Sequence, residues 1–207
     1  MGSPHFRVRE SCYLSCGVEP SQWPCSILVA AAILQASQLG GKRLALSLIY
    51  ARSENYCIGR AGELPWSLPD ELAHFLRTVA GKALIMGRKT YQDPHAYHSR
   101  NLNVVISRNP QFPVSEGFVL ASSLLEAIEQ AEASDEDAFL IGGGSLFVEA
   151  IPLASQVYET VVHAEIEGDT YMEPLDFSGW DSAVLEQHPV DENHAYPYTV
   201  FRHRRRL

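Results

Sequence analysis

The sequence predicts an α/β fold: one domain with a central mixed, mostly parallel eight-stranded sheet flanked by helices and a last strand running antiparallel. Two observations carry this. Short apolar runs such as Leu44 to Ala51 and Ala83 to Met86 lack the alternation of a half-wet strand, so they read as strands covered on both faces. Most of these runs are separated by segments with apolar residues at helical spacing, and strands joined through helices pair in parallel by right-handed crossovers.

The elements follow in order. After the strand at 44–51 comes a loop, then a helix over 69–79 with Pro69 in its first turn and Ser67 as a plausible N-cap three residues before Asp70. Leu72, Phe75, Leu76 and Val79 recur on one face and predict a core-facing stripe, with Glu71 at its edge. Ala83 to Met86 is the second strand, ending at Gly87, and a short helix before Pro94 follows. Asn103 to Ser107 and Phe118 to Ala121 are strands, and Ser122 or Ser123 opens a helix through Leu124, Leu125, Ile128 and Ala131. Ala138 to Ile141 is a strand running into Gly142-Gly143-Gly144 and a helix through Leu146 and Phe147. Val157 to Ile166, 182–188 and 196–203 close the sheet without intervening helices, so the last pairing is antiparallel.

The chain has 207 residues, 46% of them hydrophobic, and a formal charge of −9. Residues 1–41 add nothing net, because Arg7 and Arg9 offset Glu10 and Glu19, so the acidity belongs to residues 42–207. That argues against nucleic acid or an anionic membrane as partner, and any anionic ligand must be held by a few local bases. Cys12, Cys16 and Cys25 fall in the first 41 residues and only Cys57 later, which argues against a disulfide framework and for a reducing, cytoplasmic compartment. The apolar run Ser26 to Leu34 is far short of the roughly 20 residues of a membrane helix. Residues 1–41 are expected to be an N-terminal extension, poorly ordered or forming a short helix. Arg202 to Arg206 reads as a solvated basic tail.

The stretch Ile58 to Phe75 concentrates the candidate chemistry. Gly59, Gly62, Leu64, Pro65 and Trp66 combine backbone freedom with large apolar side chains, as a flap over a ligand does. Glu71 reads either as a first-turn acid favoured by the helix dipole or as a partly buried carboxylate that binds a cationic or amidine-like group and assists proton transfer. Three strand ends carry polar or glycine residues: Arg88-Lys89-Thr90 after Gly87, then Ser107-Arg108, then the glycine triplet opening a helix. The triplet alone is a tight turn. With the arginines it reads as a phosphate site at the carboxyl ends of the strands.

Ile58-Gly59, Leu64-Pro65-Trp66, Leu68-Pro69-x-Glu71-Leu72, Leu84 to Tyr91, Asn103 to Arg108, Ile141 to Gly144 and Glu167-Gly168-Asp169-Thr170 occur in the order of the dihydrofolate reductases, and from about Leu44 onward the chain resembles that family. The resemblance implies NADPH-dependent reduction of 7,8-dihydrofolate, with hydride to C6 of the pterin and a proton to N5. It implies that Glu71 holds the pterin N3 and 2-amino group with Thr160 on the same edge, and that Trp66 and Leu64 order water near N5. Ile49, Tyr50, Leu72, Phe75, Ile141 and Phe147 become pocket walls. Ala51, Ile58 and Gly59 face the nicotinamide; Gly87, Lys89, Thr90 and Gly142 through Ser145 to Leu146 take the rest of the cofactor, and Arg88, Ser107 and Arg108 grip its 2′-phosphate. A cis peptide between Gly142 and Gly143 is expected by the same analogy, and Asp169 is the acid that steadies the flap.

Three positions depart from the family pattern. Tyr50 stands where a small or β-branched residue is usual, and Phe147 where Tyr is common. In Asp93 to Asn101, Arg100 is the candidate for the substrate's glutamate carboxylate but lies one residue early. His95 and His98 in that loop read as exposed polar residues, and no metal is expected. The runner-up readings are another pterin or pyrimidine reductase on the same fold, against which Trp66 and Glu71 weigh, and a non-catalytic folate or NADPH binding module, against which Glu71, Thr160, Arg88 and Arg108 weigh. A monomer acting on a small molecule is expected.

Overall fold

The computed structural model describes residues 46–134 and 137–206. The expectations for residues 1–41 lie outside the described residues. Strands β1 (Leu46–Ser53), β3 (Ala83–Gly87), β4 (Asn103–Ile106), β5 (Phe118–Ala121), β6 (Ala138–Leu140), β7 (Gln156–Val162), β9 (Trp180–His188) and β10 (Tyr198–Arg205) form one sheet in the order β5-β4-β3-β6-β1-β7-β10-β9. β10 pairs antiparallel with both β7 and β9, and every other pairing is parallel, so β10 alone is reversed. β2 (Cys57–Gly59) and β8 (Thr170–Tyr171) make a separate two-stranded ladder, too short to register in any sequence pattern.

The helices are α1 (Pro69–Val79), α2 (Arg88–Tyr91), α3 (Leu124–Glu132) and α4 (Gly144–Ala150). The two faces of the sheet bury separate clusters. Leu48, Tyr50, Ile85 and Leu140 pack with Ala127, Ile128 and Ala150 of α3 and α4. Ile49, Leu84, Met86 and Phe139 pack with Val79 of α1. Successive residues of one strand thus enter different layers, which is why these runs are apolar throughout. A third cluster of Trp66, Leu68, Val162, Ile166, Tyr198 and Val200 closes the end beside β10.

Local chemistry sets the boundaries. Ser123 caps α3, its side chain accepting from the Glu126 N–H, while Glu126 Oε2 accepts from the Ser122 N–H at 2.8 Å. Gly168, between β7 and β8, has no room for a side chain: a Cβ there would lie inside contact with Cys57 Sγ and the Gly59 carbonyl.

Four expectations change. The N-cap of α1 is Leu68, without a side-chain cap, not Ser67; Pro69 lacks one N–H and the Asp70 N–H donates to Nε2 of His194 at 3.2 Å. Leu72 and Leu76 are 52% and 37% exposed, so that part of the α1 stripe does not face the core. β7 stops at Val162, where the Ala164 N–H turns back to the Val162 carbonyl at 2.9 Å. The basic C-terminal run is no tail: it is the end of β10. His203 is buried, Arg205 lies over the Trp180 ring at 4.4 Å, and Arg206 pairs with Asp181 at 2.8 Å. Among the described residues no helix is long and apolar enough to cross a membrane.

Candidate active site

A cleft of about 1000 Å³ opens across the carboxyl ends of the parallel strands. Four segments make most of its wall. The end of β1 supplies Ile49, Tyr50 and Ala51; the flap supplies Ile58, Gly59 and Leu64; α1 supplies Glu71, Leu72 and Phe75; and the strand ends supply Gly87 to Thr90, Ser107, Arg108 and Ile141 to Phe147. The exposed Leu72 of α1 therefore serves the cleft, with Phe75 edge-on to Tyr97 at 6.0 Å across it.

One end is acidic and dry. Glu71 is 7% exposed and accepts a hydrogen bond from the Thr160 hydroxyl at 3.0 Å. β7 presents Thr160 beside Ala51 of β1, and the first turn of α1 brings Glu71 over it. Burial raises the Glu71 carboxyl above the usual range, against the Thr160 bond and the nearby His74, which favour its ionised form. Glu71 is both an acid of the first turn of α1 and a buried carboxylate. Trp66 is buried, and its indole N–H has no partner among the described residues. Trp66 and Thr160 are not on the cleft wall itself; Thr160 reaches it through Glu71.

The other end is cationic. The guanidinium groups of Arg88 and Arg108 have no carboxylate or hydrogen-bond partner among the described residues and are exposed to the cleft. Between the two ends the Gly142–Gly143 peptide is cis, and Gly142 has a φ of 145° with Thr90 Oγ1 only 2.7 Å from where a Cβ would be. A side chain fits there neither in conformation nor in space.

The flap is tied at its base. Asp169 Oδ2 accepts the Ala61 N–H at 2.7 Å, and the Asp169 N–H donates to the Gly59 carbonyl at 3.1 Å. The Ala61 bond, with the Thr170 hydroxyl, holds the Asp169 carboxyl below its usual range.

Two sequence expectations shift in position. Tyr50 lines the cleft with its ring, 5.0 Å from Phe147, while its hydroxyl reaches along the sheet and donates to Oε1 of its register partner Glu159 at 3.2 Å. Burial, then the Glu159 charge, pushes its phenol well above the ordinary value. Arg100 is exposed and is not on the cleft wall. Ser99 and Asn103 lock the chain there, with the Ser99 N–H donating to Asn103 Oδ1 and Asn103 Nδ2 to the Ser99 carbonyl, each at 2.8 Å, and this turn faces away. The same loop instead contributes Asp93, His95 and Tyr97. Nothing in a polar, aperiodic loop marks those three in advance. Ile106, also on the wall, follows from period-two alternation along β4.

A ligand cleft across parallel strand ends, with glycine backbone in its middle and a buried acid at one extremity, defines an α/β enzyme domain acting on an extended small molecule. Comparison with known proteins narrows the class. The family model described as dihydrofolate reductase matches residues 45–205. A dihydrofolate reductase type 3 of Salmonella typhimurium is 39% identical over 152 residues, covering 73% of this chain and 92% of that protein. A dihydrofolate reductase of Bacillus subtilis is 34% identical over 153 residues, covering 74% and 90%. Among solved structures, the Enterococcus faecalis dihydrofolate reductase complexed with NADP(H) and RAB-propyl superposes with a TM-score of 0.72 at 29% identity, over 80% of this chain and 98% of that one. The chain belongs to the dihydrofolate reductase family.

Proposed function

We propose that the chain reduces 7,8-dihydrofolate to tetrahydrofolate with NADPH. The observation that carries this reading is the buried Glu71–Thr160 pair at one end of a cleft whose other end holds two arginines without a partner among the described residues. The residues present fit the cofactor: Arg88 and Arg108 with Ser107 suit a dianionic 2′-phosphate, and the backbone at Gly142 to Gly144, with Ser145 and Leu146, leaves room for a pyrophosphate. Lys89 and Thr90 line the same stretch. NADPH, when bound, supplies the hydride that reduces C6 of the pterin.

The chain's own residues do the rest. Glu71 accepts hydrogen bonds from the N3–H and 2-amino group of the pterin, a fork that a carboxylate matches and an amide does not. Thr160 fixes the carboxylate's orientation. By holding that edge, Glu71 favours the tautomer that takes a proton at N5. Burial raises its carboxyl above the usual range, which favours its holding a proton. Trp66, whose indole N–H lacks a partner among the described residues, and Leu64 at the cleft mouth limit and orient water near N5. Ile49, Leu72, Phe75, Ile141 and Phe147 hold the ring system in apolar contact, and Ala51, Ile58 and Gly59 lie where the nicotinamide docks.

The deciding experiment measures NADPH oxidation at about 340 nm, the reduced-nicotinamide band, with dihydrofolate and with dihydropteroate, which lacks the glutamate. Both are turned over, and kcat/KM differs by less than about tenfold, because Arg100 is off the cleft and a charge-assisted contact worth about 1.5–3 kcal/mol is missing. Turnover of neither substrate discards the reading.

A further inference from the structure

Asp70, His188 and His194 lie outside the cleft wall and take no part in the chemistry above. Their ligand atoms all fall within 4.8 Å of one another. Asp70 Oδ2 is 3.3 Å from His188 Nε2 and 3.8 Å from His194 Nε2. Zinc–nitrogen and zinc–oxygen bonds of about 2.0–2.2 Å at tetrahedral angles put ligand atoms about 3.3–3.6 Å apart, so two of the three edges are already near the required length.

The hydrogen-bond partners behind the imidazoles set which lone pairs face inward. His188 Nδ1 is 2.7 Å from the Pro189 carbonyl, which can only accept, so Nδ1 carries a proton. His194 Nδ1 is 2.7 Å from Asp191 Oδ1, a carboxylate that likewise requires the proton on Nδ1. On each ring this leaves Nε2 facing the Asp70 carboxylate, and Asp191 Oδ2 lies 3.7 Å from His188 Nε2 as well. Two imidazole nitrogens gathered on carboxylate oxygens call for a positive charge, which a proton or a metal ion supplies. A backbone carbonyl and a carboxylate behind ligating histidines are also the outer partners that fix ring orientation at metal sites. His194 is 3% exposed, and the His188 ring stacks on Tyr198 at 5.3 Å, so both rings are held before any ion arrives. One contact competes: His194 Nε2 accepts the Asp70 N–H at 3.2 Å. Asp70 is exposed, and water can take that donor once a metal takes the nitrogen.

We infer that Asp70, His188 and His194 form a binding site for a borderline divalent metal of the zinc type, with a fourth position left to water. Two imidazoles and one carboxylate suit zinc, nickel or copper and not the hard cations, which select oxygen. The site joins the last residue of β9 and the loop that follows it to the first turn of α1, one residue before Glu71.

The test is a calorimetric titration of the full chain with Zn²⁺, paired with thermal unfolding with and without Zn²⁺, for the wild type, His188→Gln and Asp70→Asn. The wild type binds one equivalent that each variant loses, and the zinc-dependent rise in Tm disappears with it. Asp191→Asn retains the site but weakens it by about 10- to 100-fold. Equal stoichiometry and equal Tm shifts in wild type and variants would place the zinc elsewhere, for instance on cysteines, and overturn the assignment. No zinc binding by the wild type would leave the cluster an ion pair only and overturn it as well.

Discussion

Glu71 and Glu159 are both buried carboxylates, and their surroundings drive them in opposite directions. Glu71 has a single hydroxyl partner and stays above the usual range. Glu159 is buried too, but bonds from His203 and Arg52 and the Arg52 charge outweigh desolvation and hold it below that range. The first arrangement costs stability, as expected of the reactive group proposed above. Glu71→Gln is expected to lower turnover of dihydrofolate by about two or more orders of magnitude with NADPH affinity nearly intact, read from steady-state rates and cofactor titration. The same variant should unfold at a higher temperature at neutral pH. Because the folded-state pKa of Glu71 is raised, its ionisation destabilises the fold as pH rises from the ordinary glutamate value through the raised one, and glutamine removes that penalty. At the cationic end, Arg88→Ala should weaken NADPH by about 1.5–3 kcal/mol and leave NADH little changed, since only the former carries the 2′-phosphate. Equal losses for the two cofactors would remove Arg88 from that role.

Elements position these residues, and the sequence revealed them unevenly. α1 was legible to the residue, because Pro69 and the helical spacing act locally. Its cap was not, because His194 arrives from 124 residues away. Its exposed leucines follow the helical period as a core stripe does; periodicity shows that a face is apolar, not whether protein or ligand covers it. The C-terminal arginines misled for the opposite reason: they are exposed as their charge suggests, yet fixed in place, Arg205 by backbone carbonyls and the Trp180 ring, Arg204 by Gln156 and Arg206 by Asp181. Arg100 shows the limit of spacing arguments inside loops, since a single turn at Ser99 redirects it. The flap depends on one such non-local contact. Asp169→Asn weakens the acceptor for the Ala61 N–H, and we expect faster amide exchange at residues 60–63 and a several-fold lower kcat, with NADPH affinity less affected. Unchanged exchange at Ala61 would show that the ladder of β2 and β8 suffices to hold the flap.

For the molecule as a whole, the sheet is joined across its centre by charge as well as by backbone. Arg52 of β1, Glu159 of β7 and His203 of β10 form one buried chain, with Arg52 Nε at 2.8 Å and His203 Nε2 at 3.2 Å from the carboxylate. Ser182 Oγ extends it to β9 at 2.7 Å from His203 Nδ1. Since the folded-state pKa of Glu159 is lowered, its stabilising contribution is complete above the ordinary glutamate pKa and is lost as pH falls through the lowered value. Glu159→Gln should cost about 3–5 kcal/mol near neutral pH, by leaving the largely buried Arg52 guanidinium without its carboxylate, and should flatten the acid limb of the stability curve measured by urea unfolding. An unchanged acid limb would assign acid sensitivity to other groups.

The order of strands in the sheet is not their order of manufacture. β10 lies between β7 and β9 although it follows both in the chain. During synthesis β9 leaves the ribosome before the strand that will attach it, and β7 keeps a bare hydrogen-bonding edge until residues 198–205 have cleared the exit tunnel. Val200, the register partner of Thr160, is among them. The nascent protein therefore carries the strand ends around Arg88, Arg108 and Gly142 while the strand beside Thr160, the partner of Glu71, is still unsealed. In that interval the β7 edge is the template a chaperone must shield from a second growing chain.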